Sequence, residues 1–99
     1  MVNFQVSLSK SPQGEILVNG NYVSGNDPIV VERVVLKEFD AGGNLVGRST
    51  HRTNATIDPA PGATLLVVKT PFGANVKTAR ATAFYFAVDK TEQSGILNL

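Results

Sequence analysis

The stretch LKEFDAGGNLVGRS, residues 36–49, decides the fold. An apolar run ends at Asp40, two glycines follow, and an apolar and then polar run resumes at Leu45. A phosphate-cradling loop needs its glycines to lead into a helix whose N-terminal amides hold the anion, and the P-loop version ends in Gly-Lys-Ser/Thr. Neither feature is present here. Asp40 can instead accept backbone hydrogen bonds in an Asx-turn, while Gly42 and Gly43 can take positive φ at little steric cost. The stretch reads as a β-hairpin turn.

Working outward from that turn, the dominant period is two. Val2, Phe4, Val6 and Leu8 alternate with Asn3, Gln5 and Ser7, as in a half-buried strand. The turn SPQG leads into residues 15–23, where Ile16, Val18 and Tyr22 share a face that Gly20 interrupts, at a bulge or a close backbone approach. After SGNDP, residues 29–39 form a long β-branched run with mixed alternation: Val31, Val35 and Phe39 on one parity, Val30, Val34 and Leu36 on the other. Either both faces are covered or a bulge changes the register. Residues 45–53 return as a more polar strand, and the Pro- and Gly-bearing segment 57–63 is a loop. Residues 64–70 make the next strand. Residues 76–89 are the longest alternating segment, with Ala79, Ala81 and Ala83 opposed to Thr78, Thr82, Phe84 and Phe86. This is the one window that could be helical, but its threonines and aromatics favour a strand.

Short strands separated by turn signals predict an all-β chain, an immunoglobulin-like antiparallel β-sandwich of about seven strands, with a barrel as the rival. The apolar ending SGILNL predicts a short last strand, paired beside residues 77–88 or with the edge of a second molecule in a homodimer.

Ninety-nine residues make one domain, residues 1–99. Lacking cysteine, the chain can form no disulfide, thiolate metal site or cysteine nucleophile. Nine basic and eight acidic residues leave a net charge of +1, too balanced for duplex nucleic acid or an anionic membrane as the dominant partner. No apolar run is long enough for a membrane span. The alternating N-terminus is not that of a signal peptide. A native start at Met1 would place the protein in the cytoplasm.

The order ILVNGNYVS…IVVERVVLKEFDAGGNLVGRST…IDPAPGATLLVV resembles the FxLYD-type immunoglobulin-like domains of bacteria and archaea. The resemblance covers residues 15–70 and rests on Gly20, Phe39-Asp40, Gly42-Gly43, Val46-Gly47 and Pro61-Gly62. Glu38 stands where that family usually has an apolar residue, and Ser24 where Asn is common. The resemblance implies an envelope or secreted module without catalytic residues.

Catalysis finds little in the sequence. His51, the only histidine, sits between Arg48 and Arg52, whose charges oppose an imidazolium, and reads as a solvent-facing strand residue. Glu32, Glu38 and Asp40 share strand parity, and same-face neighbours lie ~7 Å apart, a spacing that carboxylate pairs use. With no nucleophile–base pair beside them, no catalytic site, metal or cofactor is expected. The basic set Arg33, Lys37, Arg48 and Arg52, with His51, can form a patch on one sheet for an acidic protein, a sulfated glycan or nucleic acid. It can equally solubilise an exposed face and blunt edge pairing. Nucleic-acid readers interleave stacking aromatics with such charges. Here only Tyr22, Phe72 and Tyr85 read as available, so no nucleic-acid partner is expected. Phe72, between Pro71 and Gly73, is a candidate contact at a loop tip. The NAT sequence at 54–56 is a glycosylation sequon only in a eukaryotic secretory setting.

These readings converge on a non-enzymatic interaction or structural module acting through loops or a sheet edge, with a protein or glycan partner. The alternatives are a carbohydrate-binding domain, or a small protease inhibitor inserting the 58–62 or 71–75 loop into a cleft.

Overall fold

The computed structural model describes residues 2–69, 73–86 and 92–98. They form seven strands: β1 (Asn3–Lys10), β2 (Ile16–Ser24), β3 (Ile29–Phe39), β4 (Leu45–Ile57), β5 (Gly62–Lys69), β6 (Thr78–Phe86) and β7 (Glu92–Asn98). Among the described residues there is no helix. One sheet has the order β1-β2-β5 and the other β4-β3-β6-β7, every neighbouring pair antiparallel. In immunoglobulin lettering these are A-B-E and C′-C-F-G. The constant-type sandwich places its fourth strand beside E. Here the fourth strand has crossed to the other sheet.

The two sheets bury alternate residues of each strand. Phe4 and Val6 of β1, Ile16, Val18 and Tyr22 of β2, and Val67 of β5 face Val31, Val34 and Leu36 of β3 and Ala79, Ala81, Ala83 and Tyr85 of β6. Phe4 meets Tyr85 edge-on, ring centroids 4.9 Å apart, and the Tyr22 hydroxyl donates to the Asp27 carbonyl at 2.7 Å. Small residues let the layers close where β1 lies against β6 and β7. A Cβ at Gly95 would overlap the Val6 carbonyl oxygen. β7 pairs with β6 from Thr78↔Asn98 to Phe84↔Glu92, the intramolecular alternative for the chain's last strand.

A bulge resolves the mixed alternation of β3. The register shifts between Val31 and Arg33 against both neighbours. Ile29 and Val31 point inward before it, Val34, Leu36 and Glu38 after it, and Glu32 is the additional residue relative to β6. Opposite, Asn54 adopts φ 45°, a left-handed conformation that asparagine tolerates, and the Thr53 hydroxyl donates to the Val31 carbonyl at 2.6 Å. A second bulge, opposite Val18 and Asn19, turns Leu66 toward the core.

The 40–44 segment is the expected hairpin. The Asp40 carboxylate accepts from the Gly42 and Asn44 amides, both at 2.9 Å, and Gly43 N–H donates to the Asp40 carbonyl at 3.0 Å. The Asn44 amide is the main cause that holds the Asp40 carboxyl below the usual carboxylate range. Only Gly43 takes positive φ, at 80°; Gly42 does not.

Candidate functional site

The bulge in β3 also determines what the outer face of the four-stranded sheet presents. Beyond Glu32, the outward positions of β3 are Arg33, Val35, Lys37 and Phe39. Arg33 is paired with Arg52 on β4 and Phe84 on β6. Val35 is paired with Thr50 and Thr82, and Lys37 with Arg48 and Arg80. Every arginine of the chain, together with Lys37, therefore lies on one face.

The face has two cationic rows, Arg52–Arg33 and Arg48–Lys37–Arg80, separated by the row Thr50–Val35–Thr82. Arg33 and Lys37 are four residues apart on β3, so the rows lie ~13 Å apart at the rise of an extended chain. The Arg33 guanidinium stacks over the Phe84 ring at 4.0 Å and pairs with Glu32 at 3.1 Å. Glu92 stands opposite Phe84 in the register of β7. No acidic residue of β3, β4 or β6 stands in the Arg48–Lys37–Arg80 row. Phe86, 58% exposed, lies at the end of β6 opposite Val30.

The structure thus brings together Arg33, Lys37, Arg48 and Arg52, one of the two arrangements the sequence allows, and adds Arg80. Arg80 shares strand parity with Thr78, Thr82 and Phe84, and that parity was its signal. His51 does not belong to the patch. Its position pairs with inward-pointing Val34, so it turns toward the open side of the sandwich between β4 and β5. There its Nε2 lies 2.8 Å from the Ser49 hydroxyl, and burial, followed by the charge of Lys69, pushes its pKa down. The half-buried His51 corrects the expectation of a solvent-facing residue.

Tyr85 is likewise corrected. It is 2% exposed and packs on Phe4, because β6 buries its alanine parity and Tyr85 continues that parity. Tyr22 is buried with it. The aromatics that accompany the charges are Phe84 and Phe86. Phe72 lies outside the described residues. The three carboxylates do not assemble: Glu32 is at the bulge, Glu38 points inward at 5% exposure, and Asp40 is held by its own turn. Among the described residues no group of acidic or histidine side chains is arranged to hold a metal.

No family model and no curated protein matches the chain. Among solved structures it is similar to the solution structure of CsgH from R. palustris, at 17% identity, over 99% of this chain and 92% of that one, with a TM-score of 0.51. At that identity the likeness concerns the fold alone.

Proposed function

We propose that the protein is a non-enzymatic interaction module that holds an acidic, extended segment of a partner protein across the outer face of its β4-β3-β6-β7 sheet. The observation that carries this reading is the direct opposition of like charges. Arg33 faces Arg52, and Lys37 faces both Arg48 and Arg80. Like charges directly opposite on a sheet destabilise it, by a few tenths to about 1 kcal/mol per pair. Solubility alone is better served by interspersed signs. The concentration of cations is therefore a cost to the fold that a partner's carboxylates would offset.

Three features favour a protein segment over other polyanions. The row spacing matches side chains four residues apart on an extended chain. The guanidinium over Phe84 occupies a face on which a nucleobase would stack. Five of the nine basic residues of a chain with a net charge of only +1 stand in these rows, so the positive charge of this face is local. The FxLYD-like pattern of residues 15–70, which serves turns and strand packing, is in keeping with a module of this kind.

The test is titration with poly-L-glutamate, oligo-thymidylate and heparin at low and moderate salt. The reading expects saturable, salt-sensitive binding to polyglutamate that weakens by about tenfold or more in Arg48→Glu/Arg80→Glu. Tighter binding of the oligonucleotide or heparin would reassign the face to that class of partner. Polyglutamate binding indifferent to the double variant would dismiss the face altogether.

A further inference from the structure

The side of the sandwich between β4 and β5 presents two strand edges, and they are protected very differently. β4 carries Arg48 and Arg52 and an irregularity at Asn54, features that discourage pairing with another chain. β5 has no charged residue and no proline from Gly62 to Val68, and its Leu65 and Val68 are 54% and 43% exposed. Among the described residues no strand pairs with its outer edge. On the opposite side of the molecule β1 and β7 close on one another.

The free edge has a topological cause. In the constant-type sandwich the fourth strand fills the position beside the fifth. Here β4 pairs with β3 from Ile29↔Ile57 to Phe39↔Leu45, which leaves that position without a strand among the described residues. We infer that this position beside β5 is a strand-addition site, accepting an extended strand of another protein that completes the β1-β2-β5 sheet.

The surroundings specify the pattern of that strand. On the outer side, Leu65 and Val68 continue a face made by Gln5, Ser7 and Ser9 of β1 and Leu17, Asn19 and Asn21 of β2, none of them charged. An added strand extends this face with apolar or uncharged residues. On the inner side it meets Ser49 and His51 from β4, with Lys69 at the end of β5, so its alternate residues are polar or acidic. A second copy is disfavoured. Two-fold pairing of β5 would set the Arg48 and Arg52 edge of one molecule beside that of the other. The bulge at Leu66 divides the edge, so pairing runs along Gly62–Leu65 and resumes at Val67.

The probe is a capped peptide alternating valine with threonine and glutamine, uncharged so that it does not engage the basic face, titrated against the full chain with amide hydrogen exchange as readout. The inference expects saturable binding, slowed exchange confined to β5 among the strands, and at least about a tenfold loss in Leu65→Lys, whose fold is verified by thermal melting. Arg48→Glu/Arg80→Glu should retain binding that shows the β5 protection, which separates this site from the basic face. The site is refuted by no binding at about 1 mM peptide, or by protection on another strand. Equal binding by Leu65→Lys refutes it as well. A concentration-dependent dimer of the protein alone, abolished by Leu65→Lys, would make the occupant a second copy and overturn the inferred partner strand.

Discussion

Lys37 and Arg48 stand directly opposite one another on β3 and β4, and Arg80 flanks Lys37 from β6, so one lysine faces two like charges. Lys37→Glu would convert both contacts into opposite-charge pairs. The expected outcome is a stabilisation of about 0.5–1 kcal/mol. For a domain of this size that raises the melting temperature by a few degrees, on the order of 4–8 °C per kcal/mol. Polyglutamate binding should fall in the same variant. Gain of stability with loss of binding is the signature of a functional charge cluster. A variant that melts lower than the parent would show that the row is not repulsive.

Gly20 lies under the ring of Phe4, and a Cβ there would come within 2.6 Å of Cζ and 2.9 Å of Cε1. That ring is held on its other contact by Tyr85. It has little room to yield. Gly20→Ala is therefore expected to cost about 1–3 kcal/mol, as overpacked cores do. Denaturant unfolding would show it as a lower midpoint. In the double variant Gly20→Ala/Phe4→Leu the added cost of the alanine should shrink, because the clashing ring atoms are gone.

The strands and the hairpin were legible because period two and turn chemistry are local properties. The 40–44 turn follows from one aspartate and its glycines, and the position of the basic residues follows from strand parity. What parity alone could not supply was the point where it changes. The bulge at Glu32 exchanges inward and outward positions along β3, so Glu32 and Glu38, which share parity in the sequence, end in different places. β6 misleads in another way. Its small residues face the core and its two phenylalanines face out, because the facing layer approaches closely at Ala79, Ala81 and Ala83. Size, usually a guide to burial, pointed there to the wrong face. The assignment of Tyr85 to the surface and the omission of Arg80 belong to that one segment.

Gly42 and Gly43, alike in sequence, differ in what they require. Gly43 has φ of 80° and nothing within 4 Å of an added Cβ, so its constraint is conformational. Gly43→Ala should cost about 1–2 kcal/mol, the penalty for a left-handed residue with a side chain. Gly42 is not in that region, although a Cβ would lie 3.0 Å from the Asn44 side-chain nitrogen, the end of an exposed side chain that can move. Gly42→Ala should stay within about 0.5 kcal/mol. Equal losses from the two single variants, measured by denaturant melts, would contradict the observed turn.

His51 provides a pH test with a definite sign. Its pKa lies below the ordinary 6.5, first because burial disfavours the charged ring and then because Lys69 is near. As the pH falls, the unfolded chain takes up the proton first, while the folded chain resists it. Protonation therefore favours unfolding, and the loss begins as pH drops through 6.5 and continues until the folded pKa is reached. Asp40 acts in a lower window: its depressed pKa contributes stability that is present above 3.8 and lost as pH falls further. Between pH 7 and about 5 the histidine should then dominate the slope. Melting temperatures recorded across that interval should decline for the parent and flatten in His51→Gln. Lys69→Met should bring the histidine's titration, followed by NMR, closer to its ordinary value without restoring it, since burial remains the larger cause. A parent curve as flat as that of His51→Gln would mean the ring is protonated as readily in the folded chain as in the unfolded one.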